Sequence, residues 1–311
     1  MTEVPAPKLL ILVGATGSGK SALAIKLAHV VDAEIISADS RYLYRDLNIG
    51  TAKPPPQELA SVPHHLVDVT DLDNPWSLGL YQQEAHRFIL DINKRGKLPL
   101  LVGGTGQYIR AILQNWEVPS QIPVETLRTA IEAWGEEIGF QTLHQKLSLI
   151  DPRAAKAIDF RNKRRTIRAL EVIFSTGQRF SDLRTKTQSP YHVLTIGIDW
   201  PRNLLYQRID HRIEEMMQQG FIDEVRSLKE QSYTEALKHI GIIGYTEISD
   251  YLDGLISRDA AIMLIKRNTR VYVRRQANWF KPTDPTIHWF NATDPAMFEN
   301  MLDLINAFLA T

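Results

Sequence analysis

Eight residues near the N-terminus have the types and the spacing of a phosphate-binding loop. They fit the pattern G-x-x-x-x-G-K-[ST] and comprise Gly14, Ala15, Thr16, Gly17, Ser18, Gly19, Lys20 and Ser21. In such a P-loop, successive backbone N–H groups point at a phosphate chain, the lysine adds a positive charge, and the final hydroxyl can hold Mg²⁺. The pattern therefore predicts polyphosphate binding, and the alternative is a glycine-rich turn that binds nothing. It does not distinguish a nucleoside triphosphate from another diphosphate ligand.

An acidic residue and a second glycine turn are candidates for the same site. Asp39 follows an apolar run at residues 33–37, and a turn at residues 103–106, which includes the hydroxyl of Thr105, follows a run at residues 98–102. Groups just beyond the C-terminal ends of parallel strands converge on the ligand crevice of an open sheet. Asp39 would then face the phosphate ligand; alternatively, it only caps a turn, as Asp often does.

These groups can meet only if the chain folds around a parallel sheet. Short apolar runs bounded by turn residues read as buried strands, and the amphipathic stretches between them read as helices. We therefore predict the α/β class: a P-loop NTPase-like parallel sheet flanked by helices, with an inserted all-helical domain. The predicted core comprises residues 1–118 and 192–311, and the insertion, which has helical patterns but no clear strand, comprises residues 119–191.

Basic residues are concentrated on two predicted helices. The first set lies in the predicted insertion and comprises Arg161, Arg164, Arg165 and Arg168. At i, i+3, i+4 and i+7 these side chains would share one helix face, with no acid between them. The second set lies on a predicted helix at residues 257–281 and comprises Lys266, Arg270 and Arg274, at i+4 spacing. We expect contact with a phosphate backbone, and the alternative is an ordinary solvated face.

The composition limits the classes of protein. The 311 residues include 36 Lys and Arg against 36 Asp and Glu, so a polyanionic partner would have to meet a local basic patch. Cysteine is absent, which excludes a disulfide framework and a thiol nucleophile. The adjacent His64 and His65 would point to opposite faces of a strand, so they do not predict a metal site. No apolar segment reaches the ~18 residues of a membrane span and no secretion signal is visible, so we expect a cytoplasmic protein.

Taken together, several segments resemble the tRNA dimethylallyltransferases, also called tRNA isopentenyltransferases, of the bacterial type. The segments occur in the family's order and are the P-loop, Asp39-Ser40, residues 49–54, residues 63–66, Gly103-Gly104-Thr105-Gly106-x-Tyr108, Arg164-Arg165-x-x-Arg168, Gly244-Tyr245 and Arg274-Arg275-Gln276-x-x-Trp279-Phe280. Three residues depart from the family's usual pattern: Ala15 replaces Pro, Tyr42 replaces Gln, and Gln107 replaces an apolar residue.

The resemblance implies a reaction and its partners. The dimethylallyl group of dimethylallyl diphosphate would move to the exocyclic N6 amine of the adenosine just 3′ of the anticodon, and diphosphate would leave. The expected partners are this donor and the anticodon stem-loop of tRNA. Mg²⁺ is the expected cofactor, and neither a membrane nor an obligate protein partner is expected.

The resemblance also implies roles for individual residues. Asp39 would accept the proton of the amine, and Thr105 would hydrogen-bond near that amine. Lys20 and Arg128 would neutralise the diphosphate, which P-loop residues 14–21 would bind with Mg²⁺ on Ser21. The residues expected to contact tRNA are Asp39, Ser40, Arg41, Tyr42, Thr105, Arg128, Arg164, Arg165, Arg168, Gly244, Tyr245 and Arg274.

Three other functions stay open on the residues alone. One is a P-loop ATPase or small-molecule kinase, in which Asp39 or Asp199 would hold Mg²⁺. Another is an adenylate isopentenyltransferase acting on free AMP or ATP, although the basic inserted helix favours a nucleic-acid acceptor. The third is a non-catalytic RNA-binding protein that uses the P-loop as a regulatory site.

Overall fold

The computed structural model describes residues 6–116, 125–183 and 188–311. Within these residues a six-stranded sheet has the strand order β3-β2-β4-β1-β5-β6, and neighbouring strands run parallel. The strands are β1 (Lys8–Gly14), β2 (Ala33–Ser37), β3 (His64–His65), β4 (Leu98–Gly103), β5 (His192–Asp199) and β6 (Ile287–Asn291). The predicted α/β class with a parallel sheet is confirmed.

Helices connect and cover these strands. In chain order they are α1 (Lys20–Val30), α2 (Pro56–Ser61), α3 (Leu78–Lys94), α4 (Gly106–Leu113), α5 (Glu125–Ile138), α6 (Phe140–Ile150), α7 (Pro152–Ala157), α8 (Lys163–Thr176), α9 (Arg202–Gln218), α10 (Phe221–Glu230), α11 (Thr234–Ile240), α12 (Tyr245–Leu252), α13 (Arg258–Gln276) and α14 (Met297–Ala310). Within the described ranges, none of them is long and apolar enough to cross a membrane.

The central strands are apolar along their length because both faces of the sheet are covered. In β1 the side chains of residues 9–13 are fully buried, and every residue of β4 is buried. A parallel strand between two helical layers shows such a continuous apolar run rather than alternation. Since β1 lies between β4 and β5, the loop that follows it lies at the middle of the sheet's carboxyl edge.

Two apolar clusters stabilise the part of the chain that contains the sheet. In the first, α1 and α14 pack against the strands, and Leu10, Leu27 and Ile305 are fully buried there. The second joins α9, α10, α12 and α13 through buried residues such as Phe221 and Ile265. Burying one such side chain contributes about 1.5–3 kcal/mol. These clusters give the loops at the sheet edge a rigid base.

The chain forms two compact units. The first contains the sheet and comprises Met1–Trp76, Leu80–Ile112 and Ser189–Thr311. The second contains α5 to α8 and comprises Ser77–Gly79 and Leu113–Gln188. It has its own core, in which Leu143, Leu147 and Leu170 are fully buried. The expected boundary between residues 118 and 119 lies outside the described residues, and the inserted tRNA-binding domain stays a prediction.

We predicted that four arginines share one face of the first basic helix, and this is wrong for Arg161. The side chain of Asn162 caps α8 by accepting a hydrogen bond from the backbone N–H of Arg165 at 3.2 Å. Arg161 therefore precedes the helix instead of lying on its face. Its guanidinium pairs with Asp159 at 2.6 Å. The cap makes the helix begin at Lys163, later than the i, i+3 spacing suggested, because Asn is a strong N-cap residue.

The other arginines of α8 differ in their partners. Arg164 and Arg165 are exposed. Arg168 is half-buried and pairs with the buried carboxylate of Glu171 at 3.0 Å. No acid lies between the arginines, as predicted, but Glu171, one turn further along α8, pairs with Arg168, so only two of the four arginines are exposed residues of this helix.

The second basic helix is partly neutralised by its neighbour. On α13, Lys266 pairs with Glu214 of α9 at 2.7 Å, and Arg270 pairs with Asp210 of the same helix. The i+4 row was expected to be open to a polyanion, which is wrong for these two side chains. Arg274, at the end of the row, is exposed.

Candidate active site

The phosphate-binding loop lies between β1 and α1. Gly17 and Gly19 adopt left-handed backbone conformations, with φ of 83° and 87°, which glycine allows at little cost. A Cβ added at Gly17 would lie 2.9 Å from Ile209, so a larger residue would also displace α9. The Nζ of Lys20 donates to the carbonyl oxygen of Ala15 at 2.7 Å, so the ammonium group folds over the loop.

Two hydroxyl groups of the loop face different surroundings. Ser18 is 5% exposed, and its Oγ has no hydrogen-bond partner in the described part of the chain. A buried polar group without a partner costs about 1–3 kcal/mol, so a ligand oxygen at this position would be stabilised. The side chain of Ser21 hydrogen-bonds with the phenol of Tyr42 and lines an open cavity.

Residues at and before α9 contact this loop, although the sequence analysis gave them no role. The indole Nε1 of Trp200 donates to the carbonyl oxygen of Ser18 at 3.0 Å, and Nε of Arg208 donates to that of Gly17 at 3.1 Å. The Arg208 guanidinium lies 4.4 Å from the centre of the Trp200 ring. Arg212, one turn later, lines the same cavity as the loop. The i, i+4 spacing of Arg208 and Arg212 is visible in the sequence and places both side chains on one face of α9. It does not reveal which loop this face packs against.

The pKa of the Lys20 ammonium group is set by opposing influences from its surroundings. Burial lowers the pKa of Lys20 to about 8. The negative charge of Asp39 opposes this shift, whereas the positive charge of Arg212 adds to it. The charge of Asp39 thus acts on the Lys20 ammonium group, and both residues line the same cavity.

Asp39 makes a turn, which is one of the two roles considered from its position, and its role toward a phosphate ligand stays a prediction. Its Oδ1 accepts a hydrogen bond from the backbone N–H of Arg41 at 3.0 Å, which makes a tight turn after β2. Its own backbone N–H donates to the Oγ of Ser37 at 3.3 Å. The residue also lines the cavity that contains Lys20. The turn thus fixes one carboxylate oxygen and leaves the other available to a ligand.

The second glycine turn lies directly beside the Asp39 turn. The Oγ1 of Thr105 accepts a hydrogen bond from the backbone N–H of Ser40 at 3.1 Å, and the N–H of Thr105 donates to the carbonyl oxygen of Ala38 at 3.2 Å. A Cβ added at Gly103 would lie 2.2 Å from that same carbonyl oxygen, so this close approach requires glycine. The ends of β2 and β4 therefore bring Asp39 and Thr105 together.

Tyr42, which departs from the family's usual glutamine, contacts protein groups. Its hydroxyl donates to the carbonyl oxygen of Ala52 at 2.8 Å. Burial, and secondarily the negative charge of Asp39, raises the pKa of Tyr42 to about 12. The phenol thus links Ser21 to the loop at residues 48–54.

The loop at residues 48–54 is held by hydrogen bonds to the carboxylate of Glu224. Glu224 accepts hydrogen bonds from the backbone N–H groups of Ile49 at 2.8 Å and of Gly50 at 3.1 Å. The hydroxyl of Tyr245 donates to the same carboxylate at 2.6 Å, and Tyr245 is fully buried. Gly244 has φ of 99° and begins α12. A tRNA contact by Gly244 and Tyr245 stays a prediction, and their described contacts are internal.

These groups line one cavity of about 1410 Å³. Its lining includes the P-loop, Asp39, the loop at residues 48–56, and Arg208 and Arg212 of α9. Ligand pockets commonly enclose about 300–1,000 Å³, so this volume suits two reactants at once. Within the described residues, no three His, Cys, Asp or Glu side chains are grouped as metal ligands. A divalent cation here would therefore rely on the Ser21 hydroxyl and on oxygens from a ligand rather than on a cluster of protein ligands.

The site residues expected in the helical unit lie on α5 and α8. On α5, Nε of Arg128 donates to Glu132 at 3.2 Å, one turn along the same helix. Arg164 and Arg165 are exposed on α8. Their predicted roles toward diphosphate and tRNA stay predictions.

Comparison with known proteins bears on which reaction this cavity serves. The sequence model of the IPP transferase family matches residues 42–283. The chain belongs to the IPP transferase family. It is 46% identical over 88% of its length to a tRNA dimethylallyltransferase from Roseiflexus sp., of which 90% is covered. With one from Dehalococcoides mccartyi it shares 43% identity, and the match covers 98% of this chain and 94% of that protein.

Solved structures of this family have the same fold. A tRNA isopentenylpyrophosphate transferase from Bacillus halodurans superposes with a TM-score of 0.72 at 38% identity, covering 98% of this chain and 97% of that one. A eukaryotic dimethylallyltransferase, captured acting on tRNA, gives a TM-score of 0.81 at 26% identity, covering 97% of this chain and 79% of that one. The resemblance to the tRNA dimethylallyltransferases is thereby confirmed for the chain as a whole.

Proposed function

We propose that this chain transfers the dimethylallyl group of dimethylallyl diphosphate to N6 of the adenosine 3′-adjacent to the anticodon in tRNA, releasing diphosphate. One observation supports this most: the phosphate-binding loop and Asp39 line a single cavity, and the hydroxyl of Thr105 is hydrogen-bonded to Ser40, the neighbour of Asp39. A donor with a diphosphate and an acceptor with an amine can therefore meet there. The names of the relatives point to the same reaction.

The donor end of the cavity is suited to a leaving diphosphate. The backbone N–H groups of the P-loop and the positive end of α1 favour an anion, and Lys20 adds a charge beside them. As the allylic C–O bond breaks, negative charge grows on the diphosphate. Contacts to that charge lower the barrier because they are strongest in the transition state. Arg128 is proposed to add a further guanidinium.

The acceptor end needs a base and a hydrogen-bonding group. The oxygen of Asp39 that is free of the Arg41 turn accepts the proton that N6 loses as the new N–C bond forms. A positioned base of this kind contributes roughly 10²–10⁴ in rate. The hydroxyl of Thr105, fixed by Ser40, holds the amine beside Asp39.

The donor set fits Mg²⁺ as the cofactor. The hydroxyl of Ser21 lines the cavity, and Mg²⁺ prefers one or two protein oxygens together with phosphate oxygens and water. When bound, the ion would neutralise charge on the diphosphate. The protein's own contribution would be the Ser21 hydroxyl, while Lys20 balances the remaining charge.

The tRNA acceptor is proposed to bind through exposed basic side chains. Arg164 and Arg165 of α8 and Arg274 of α13 are exposed and suited to phosphates. The target adenine must leave its stack, which costs only a few kcal/mol and least in a single-stranded loop. An anticodon loop is such a single-stranded target. A cytoplasmic enzyme would encounter tRNA in the cytoplasm.

The test of this function is turnover with labelled dimethylallyl diphosphate and bulk tRNA, followed by digestion to nucleosides. We expect labelled N6-dimethylallyl adenosine. Asp39→Ala should lower kcat by at least about 100-fold, because a positioned base is lost. Binding of the donor should stay within about threefold, since donor contacts come chiefly from the P-loop.

A matched control for Asp39→Ala is available elsewhere in the chain. Asp294 is exposed and makes the same kind of turn, its Oδ1 accepting from the N–H of Ala296 at 2.9 Å. Asp294→Ala should keep wild-type turnover. If Asp39→Ala retains more than about a tenth of wild-type kcat, Asp39 is not the base. Steady release of phosphate from ATP, without label in tRNA, would favour the ATPase or kinase alternative.

A further inference from the structure

One buried amide connects the two glycine turns of the site. Gln276 closes α13 and is only 4% exposed. Its Oε1 accepts a hydrogen bond from the backbone N–H of Thr16 in the P-loop at 2.9 Å, and its Nε2 donates to the carbonyl oxygen of Gly104 at 3.0 Å. Both ends of the amide are thus used, one on each turn. Glutamine is suited to this because its side chain both donates and accepts.

The surroundings of Gln276 leave it little freedom. A Cβ added at Gly104 would lie 2.4 Å from Nε2, so the turn approaches the amide as closely as glycine permits. One helical turn earlier, the phenol of Tyr272 hydrogen-bonds with the side chains of Gln276 and Thr105. Burial raises the pKa of Tyr272, so its phenol is protonated at neutral pH. The end of α13 therefore contacts the P-loop and the Thr105 turn together.

We propose that Gln276 is a positioning residue that sets the spacing between the donor-binding P-loop and the acceptor-binding turn. The inference rests on the proposed transfer reaction. With Thr16 N–H bound to Gln276, that group does not turn toward the diphosphate. The reacting atoms of two substrates must approach to about 3–3.5 Å, and a misplacement of about 1 Å can cost roughly 10²-fold in rate. A bridge between the two turns is where this spacing can be fixed.

Two substitutions separate the two hydrogen bonds. Gln276→Met keeps the length and volume of the side chain and loses both bonds. Gln276→Glu keeps an acceptor for Thr16 N–H, but it sets a carboxylate oxygen against the carbonyl oxygen of Gly104. A matched control is Gln82→Met, since Gln82 is 7% exposed and its Nε2 donates to the carbonyl oxygen of Ala111 at 3.0 Å. It joins α3 to α4 without touching either glycine turn.

Steady-state kinetics with tRNA and dimethylallyl diphosphate provide the first readout. We expect Gln276→Met and Gln276→Glu to lower kcat about 30-fold or more, with the KM for the donor and the Kd for inorganic diphosphate within about threefold. Gln82→Met should keep kcat within about threefold and show a similar loss of thermal stability. A kcat loss no larger than that of Gln82→Met overturns the proposal. So does a loss found entirely in donor affinity.

Hydrogen exchange provides a second readout that needs no turnover. We expect inorganic diphosphate to slow amide exchange at residues 103–106 in the wild-type chain and in Gln82→Met, but not in Gln276→Met. Equal slowing in all three chains overturns the proposed link. If the wild-type chain transfers no label to tRNA, the proposed function fails, whereas the exchange result still decides whether Gln276 joins the two turns.

Discussion

Lys20 shows how a single residue of the site is tuned. Its ammonium group is drawn toward neutrality by burial and by Arg212, and toward the charged state by Asp39, with a resulting pKa of about 8. The group is therefore protonated at neutral pH but close to its titration. A bound diphosphate brings negative charge, which favours the protonated form.

This balance predicts a pH dependence of diphosphate binding. Above pH 8 most of the free chain has lost the Lys20 proton, and binding must restore it there, so affinity falls as pH rises and binding takes up protons. Calorimetry at pH 8.5 in two buffers of different ionisation heat measures this uptake. Roughly three quarters of the free chain is unprotonated there, so Lys20→Met should take up correspondingly fewer protons. Equal uptake by the two chains would contradict the assignment.

At the scale of elements, helix α13 shows what spacing along the sequence can and cannot reveal. The i+4 row of basic residues is visible in the sequence, and so are Asp210 and Glu214 at the same spacing on α9. Only the packing of α9 against α13 joins them as ion pairs with Arg270 and Lys266. Two of the three basic side chains in this row are therefore neutralised by ion pairs within the protein, although the sequence pattern predicts a surface that binds a polyanion.

The residues of the candidate site also differ in whether local sequence motifs were enough to predict them. The P-loop, Asp39 and Thr105 could be predicted, because short motifs mark each turn and the rule for parallel strands brings their ends together. Trp200, Arg208 and Gln276 could not, because their contacts depend on which distant helix packs against which loop. The N-cap by Asn162 was a local signal that the spacing argument overlooked.

A second element-scale feature is the buried carboxylate that ties the edge strand to the sheet. Glu34 of β2 accepts hydrogen bonds from Arg95, at 2.8 Å to its Nη2, and meets His65 of β3 at 2.8 Å. The hydrogen bond from Arg95, and next that from His65, lowers the pKa of Glu34 to about 2. The short strand β3 is therefore held by side chains as well as by its backbone.

The stabilisation from Glu34 should vanish in acid. A lowered carboxyl pKa contributes stability above the ordinary value of 4.5, and this is lost as pH falls through about 2. We expect Glu34→Gln to lower the free energy of unfolding by about 2 kcal/mol at pH 7, allowing for solvent around Arg95. Urea unfolding at pH 7, 4 and 2.5 measures this. A difference from wild type that does not shrink toward pH 2.5 would argue against an ionic contribution.

At the scale of the molecule, one unit contains the cavity and the other carries the exposed arginines of α8. A free nucleotide offers one base and one phosphate group, so it would use only the cavity. An anticodon stem-loop also offers a run of phosphates. The exposed arginines of α8 are therefore the reason to expect an extended acceptor rather than a free nucleotide, and this expectation can be tested.

We expect an anticodon stem-loop to be prenylated at least about 100-fold more efficiently than AMP, by kcat/KM. Arg164→Ala/Arg165→Ala should weaken tRNA binding and reduce its salt slope by about 0.7–0.9 per lost phosphate contact, leaving AMP turnover unchanged. Arg153→Ala is the control, since Arg153 is exposed in the same unit but already pairs with Asp182. Comparable efficiency on AMP, or an unchanged salt slope in the double variant, would favour the adenylate alternative.

The bridge made by Gln276 has a consequence for the order in which a newly made chain becomes active. Thr16 and Gln276 are 260 positions apart, so the P-loop leaves the ribosome long before its partner exists. At ~5–20 residues per second this interval is roughly 13–50 s. For most of this interval the central strand β1 also lacks β5, which ends at Asp199. A nascent chain thus displays the phosphate-binding motif without the contacts that orient it, and competence to react arrives only once the end of α13 has been made.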